Sequence, residues 1–424
     1  MARALLSVVS LVMASAFGAP PPTPAGRDLL EPARRCLSDE SAESGAAVAE
    51  LRRAGPRGLD AFLEAHGKAI DGCRARAGGT AGCERLLDAL DRVAGQRGAA
   101  RSRLYWHTDL EAAKAAARAS GRPILSLHLL GRLDEDFSCA NSRFFRTVLY
   151  ADDEVSRVLR ERFVLHWKSV RPAPRVTVDF GDGRRLERTL TGNSVHYVLS
   201  PDGRPVDALP GLYAPRAFLA GLAEAEAAAL AYAREPAATR EGSLRGLHGR
   251  AQERLQAELA SELDALGIRA PAANAVLGPP VQRVARADRL AVTKSAVERP
   301  LLAALIGRQA PPDDGSWRAL GLRRLQSSRL SEPARQLVAR EARDAEGAVG
   351  RLEERIAEDT ARNELDLHAR LHGWFAEGSA PADLPGLNDR VYRELFLSSD
   401  DPWAGLAPDD LFVGLPEGGK ADAR

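Results

Sequence analysis

Over residues 27–100 the apolar positions recur every three or four residues. "AAVAELRRAG", "GLDAFLEAHGKAI" and "CERLLDALDRVAG" each put an apolar stripe on one face of a helix. Gly55, Pro56, Gly58 and Gly95 punctuate them. This pattern predicts a small N-terminal helical region. From Leu104 the period changes. "HTDLEAAKAAARASGRP" reads as a helix opened by a capping box, Thr108 with Glu111, and closed by Gly121 and Pro123. "ILSLHLL" (124–130) follows as a buried strand, "FVLHWKSV" (163–170) as a second, and a capped helix, "DDEVSRVLRER", lies between them. "RVTVDFGDGRRLERTL" is a hairpin turning at Gly181-Asp182-Gly183. "SVHYVLSPDGRPVDALPG" supplies two more strands joined at Pro201-Asp202-Gly203, and "YAPRAFLAGLAEAEAAALAYA" a closing helix. Helices and strands alternating around a central parallel pair imply an α/β sandwich over 104–232. After a Pro/Ala break past Glu235, amphipathic helical pattern returns over 244–415, without the fixed period of a solenoid. The tail "SSDDPWAGLAPDDLFVGL" reads as extended and docked through Trp403, Leu406 and Phe412.

Composition narrows the partners. The 424 residues carry a net charge of +1, which draws neither nucleic acid nor anionic lipid. Lysine occurs only at 68, 114, 168, 294 and 420, so nearly all 59 basic residues are arginine, a skew that fits coding bias better than phosphate binding. The start has a short basic region, an apolar core from Ala4 to Val12 and an A-x-A at Ala14 and Ala16. That predicts a cleaved signal peptide over residues 1–19 and a periplasmic or extracellular protein with no membrane span.

Export would place the four cysteines in an oxidising compartment. Cys73 and Cys83 bracket a glycine-rich loop that closes easily. Four cysteines allow three connectivities, and pairing of Cys36 with Cys139 would make Cys139 a structural half-cystine.

Residues 104–232 resemble the thioredoxin-like fold, and in particular its exported members. The resemblance rests on Trp106, on "ASGRPIL", on a cysteine at a helix start after the first core strand, and on "TGNSVHYVLSPDGRPV". It covers about 30% of the chain by pattern. The chain departs from the family in three places. The C-x-x-C is here Cys139-Ala140-Asn141-Ser142, so the second sulfur is an oxygen. The preceding loop, "GRLDEDFS", is longer than usual. Where the family places a cis-proline facing the cysteine, this chain has "GNSV", with Ser194 at that place. A dithiol reductase cycle is therefore excluded.

Three clusters carry candidate chemistry. A thiol at a helix start, with Arg143 and Arg146 a turn on, is set up to have a lowered pKa. With Ser142 in place of a resolving thiol it suits monothiol thiol-disulfide exchange on protein or small-molecule thiols and disulfides. The alternative is a retained cysteine in a redox-silent scaffold or protein-binding module. His128, His166 and His196 lie on three neighbouring strands and would meet at a metal only if all three faced one side. Glu364, His368 and His372 recur at four-residue spacing on one helix face; with no completing ligand nearby, a solvated polar stripe is the reading the pattern favours. No G-x-S-x-G, phosphate-cradling loop or dinucleotide fingerprint is present, so no cofactor is expected.

The sequence thus predicts an α/β thioredoxin-like sandwich flanked by all-α regions. The candidate catalytic group is Cys139, Ser142, Arg143 and Ser194. Substrate, partner and oligomeric state are not encoded in any local pattern.

Overall fold

The computed structural model describes residues 27–75, 80–173, 175–189, 193–268, 314–341 and 345–396. The signal-peptide reading, the amphipathic stretch at 284–307 and the tail with Trp403, Leu406 and Phe412 lie outside the described residues.

The N-terminal region is a bundle of α1 (Arg27–Arg35), α2 (Ser41–Arg53), α3 (Pro56–Ala75) and α4 (Ala81–Ala94), with the short α5 (Ala99–Ser102) after it. Leu51, Phe62, Ile70 and Leu90 fill its core, each fully buried. Thr80 caps α4 by accepting from Cys83 N, and Gly95 ends it in the left-handed conformation. Cys73 and Cys83 are disulfide-bonded, with Cα atoms 5.6 Å apart, so this bridge links α3 to α4.

The centre is a four-stranded mixed sheet. Its strands are β1 (Ile124–Leu130), β2 (Val164–Arg171), β5 (Ser194–Leu199) and β6 (Pro205–Pro210), in the order β2-β1-β5-β6. β1 pairs parallel with β2 and antiparallel with β5. β3 (Arg175–Asp179) and β4 (Arg185–Thr189) form a separate hairpin. Every residue of β1 is buried, which explains why "ILSLHLL" reads as an unbroken apolar run rather than an alternating one. Before β1 lies α6 (Leu110–Ser120), and between β1 and β2 come α7 (Ala140–Phe144), a π-helical turn at Phe145–Leu149 and α8 (Asp153–Arg162). The cap of α6 differs from the expected box: Asp109 accepts from Glu111 N, while Thr108 accepts from Arg52.

After the sheet come α9 (Pro215–Arg234), α10 (Arg240–Ala265) and the C-terminal helices. They share the sheet's core. Leu367, Leu371, Phe375, Leu387, Val391 and Phe396 belong to the same buried cluster as Leu127, Val198 and Phe218. The edge strand β6 is buried along its whole length, and a proline at each end removes ladder donors. The bundle is fastened to the centre by hydrogen bonds from side chains. Arg52 Nη1 donates to Trp106 O (2.8 Å), Trp167 Nε1 to Gly95 O (2.7 Å), and the indole of fully buried Trp106 to Gln96 Oε1 (2.7 Å).

Candidate functional site

Cys139 sits at the N-cap of α7, with Ser142 one turn in and Phe145 fully buried against His196 of β5 (ring centroids 4.7 Å). The helix-start placement read from the sequence is therefore present. The expected acidic thiol is not. The Cys139 side chain has no exposed surface, and burial pushes the thiol up, against the lowering effect of hydrogen bonds from Ser142, Leu130 and Asn141. Desolvation of the thiolate outweighs the favourable donors around it.

Tyr150 and Tyr392 lie close enough to Cys139 to feel its charge, and the long loop 131–138 runs directly into it. Gly131 starts it at φ +75°, where an added Cβ would meet Ser138 Cα at 3.0 Å, so only glycine lets the loop turn back this tightly. Cys139 N returns to Leu130 O (3.0 Å). Arg146 locks the loop from below, donating to Glu135 O (2.8 Å) and Ser138 Oγ (3.0 Å). The hairpin adds a second layer, with Thr189 donating to Ser138 O (3.1 Å) and Arg175 over the Phe137 ring. Arg146, expected to activate the thiol, is thus a buried clamp. Ser142 is fully buried and donates to Cys139 O (2.8 Å), and Ser194, also buried, accepts from Asn141 Nδ2 (3.2 Å). Cys139, Ser142 and Ser194 are brought together, whereas Arg143 remains partly exposed. Among the described residues no peptide bond is cis. Cys36 and Cys139 are both free and buried, and burial pushes Cys36 up to about 11.

The strand histidines do not converge. His166 pairs across from Ser126 and His128 from Val195, but His196 pairs across from Leu127, so alternation turns His196 to the opposite face. Each finds its own partner: His166 with Ser126 Oγ (2.7 Å), His128 with Asn388 Oδ1 (2.8 Å), His196 with the Tyr150 hydroxyl (2.6 Å). Burial depresses all three, His128 and His196 to about 3 and His166 to about 4.

The stripe at 364–372 is not solvated, contrary to the expectation. His368 and His372 are buried, and a π-helical turn at Asn363–His368 packs this part of the chain against β6. Glu364 goes to Arg324, which it accepts from at 2.5 Å and which Glu258 and Glu262 also hold. The two histidines instead meet residues that no local pattern singles out: Asp207 of β6 and His248 of α10. His368 Nε2 lies 2.9 Å from Asp207 Oδ1, His248 Nδ1 lies 2.6 Å from His372 Nδ1, and His248 Nε2 lies 2.8 Å from Val206 O. Burial works against charge on Asp207, yet His368 and His372 beside it hold its carboxyl well below the usual range. Burial and the neighbouring His368 hold His372 far down, while Asp207 overcomes burial to lift His368. The Asp207 carboxylate thus pairs with His368, whose charged form it favours, and lies beside His248 and His372, whose burial favours the neutral imidazole that can ligate a cation.

A cleft of about 1090 Å³ opens between the N-terminal bundle and α7, lined among others by Cys36, Arg92, Arg97, Asp136, Arg143 and Thr147. Arg97 bridges the two sides, with Asp88 (3.3 Å) on the bundle and Asp136 (3.0 Å) on the loop. Compared with known protein families, with curated proteins and with solved structures, the chain finds no match in any of the three.

Proposed function

We propose that this chain is an exported, redox-silent thioredoxin-like binding module, with Cys139 kept as a packing residue. The observation that carries the reading is the complete burial of Cys139, which pushes its thiol up, beside a loop 131–138 that Arg146 and Thr189 hold by hydrogen bonds. Thiol-disulfide exchange needs a thiolate that can approach a partner sulfur in line, and both charge and access are denied here. The thioredoxin-like part is supported by the order β2-β1-β5-β6, by the helical crossover between parallel β1 and β2, and by the antiparallel β5–β6 pair that α9 follows. Residue His107, bridging to His166 beside β2, adds a rudimentary fifth position. Export is supported by the leader-like start and fits the Cys73–Cys83 bridge. The concave surface open to a partner is the cleft between the bundle and α7, of a size ordinary for ligand sites.

Alkylation of the purified native chain under mild reduction, at about pH 8 and near the free-thiol pKa, tests this. Cys139 is expected to stay unlabelled until denaturant is added, as read by peptide mass. Native labelling at the rate of a free thiol would restore the monothiol exchange reading. In an exporting host the mature chain should begin after residue 16 or 19; a cytoplasmic, full-length product would remove the export part.

A further inference from the structure

The seam where β6 meets α10 and the helix at Ala369–Ala376 holds the most concentrated chemistry outside the Cys139 region. We propose that Asp207, His248 and His372 form a site for one divalent transition-metal ion of the zinc class, fastening the C-terminal helices to the edge of the sheet. Three donor atoms, one from each residue, lie within 4.8 Å of one another, and all three residues are buried. Imidazole nitrogen and carboxylate oxygen are the ligand types such ions take in the absence of sulfur.

The surroundings have the form of a metal site's outer shell. His248 Nε2 donates to Val206 O, which leaves the Nδ1 lone pair directed into the cluster. That nitrogen faces Nδ1 of His372 at 2.6 Å, so a single proton joins two lone pairs. His372 Nε2 is buried without a hydrogen-bond partner, and it can take that proton when a cation occupies the space between the rings. The carboxylate is oriented from two directions, by Ala208 N (2.8 Å) and His368 Nε2 (2.9 Å) onto Oδ1. In a tetrahedral site with Zn–N of about 2.0–2.1 Å, neighbouring donors sit about 3.3 Å apart, so the two rings need separate by less than about 1 Å. Phe375 stacks on His248 at 4.4 Å, and with three protein donors a tetrahedral ion would take a water as its fourth ligand. The ligands come from three elements distant in sequence, so a bound ion would cross-link β6, α10 and the C-terminal helix.

The test uses the mature chain without added histidines, stripped with a chelator and titrated with Co²⁺ alone. One ion per chain, a tetrahedral ligand-field spectrum and a raised thermal midpoint are expected, with Zn²⁺ displacing Co²⁺. His248→Ala and His372→Ala should abolish uptake, while His66→Ala, in the N-terminal bundle, should keep it. Failure of the wild-type chain to bind, or unchanged binding in H248A and H372A, would overturn the site. If those variants lose their circular-dichroism signal, X-ray absorption of the zinc-loaded wild-type chain decides. Two imidazoles per ion are expected there, and a shell without histidine would equally overturn the proposal.

Discussion

A single atom exchange illustrates how residues are used in this molecule. In the C-x-x-S at 139–142 the Ser142 hydroxyl donates to Cys139 O. Both side chains are fully buried, so Cys139→Ala should cost only about 1 kcal/mol in a chemical-denaturation midpoint, the scale of losing one buried small group. Gly211 should be less tolerant. Its φ of +85° is strained for any L side chain, and a Cβ there would sit 2.4 Å from Asn363 Nδ2. That amide donates to Leu212 O (2.8 Å) and docks the C-terminal helix. Gly211→Ala should therefore destabilise by about 1–3 kcal/mol, read by the same unfolding curve. His196 supplies a pH prediction. Burial holds it at about 3, far below its ordinary 6.5, so the unfolded chain takes up a proton that the folded chain refuses. The stability it contributes is complete above about pH 6.5 and is lost as pH falls from there towards 3. His196→Gln should flatten the acid side of the stability profile by about 1 kcal/mol per pH unit. An unchanged slope in pH-dependent melts would show that His196 titrates normally.

Among the elements, loop 131–138 decides more than any strand. It is long and polar, and it is held by Arg146, whose guanidinium spans Glu135 O and Ser138 Oγ, and by Thr189 on Ser138 O. Arg146→Met keeps the apolar stem and removes those bonds. Stability should fall by about 1.5–3 kcal/mol, the range for hydrogen bonds from a charged group, and native alkylation of Cys139 should accelerate. A loop that stayed closed, with the thiol still unreactive, would assign its hold to the hairpin contact through Thr189. The π-helical turn at Asn363–His368 lies against β6, and His368 at its end meets Asp207 there.

For the molecule as a whole, the α/β centre and the C-terminal helices form one buried cluster. A chain ended at residue 243 would expose β6 and the face of β1 and β5 against which Asn388 and Tyr392 lie, where Asn388 meets His128 and Tyr197 and the Tyr392 hydroxyl donates to Asn193 O (3.3 Å). It should be insoluble or unfolded on expression, whereas the full chain should be recovered folded. A cooperatively melting, soluble 27–243 fragment would show that the centre folds by itself.

The order of helices and strands, the centrality of 124–130 and the 73–83 bridge were legible because each rests on local signals: apolar periodicity, capping residues, and a short loop between cysteines. The cysteine at a helix start was legible for the same reason. Its reactivity was not, since acidity and access depend on whether Arg146 faces the sulfur or the loop, and only packing sets that. Alternation along β5 placed His196 away from His128 and His166, a matter of register that sequence leaves open. The spacing at 364–372 marked two of the buried histidines, but their partners Asp207 and His248 lie 161 and 124 residues away in the chain. Sequence determined the elements, because their causes act over a few residues. Tertiary structure alone decided what the polar side chains meet, because burial and long-range contact arise only when those elements pack.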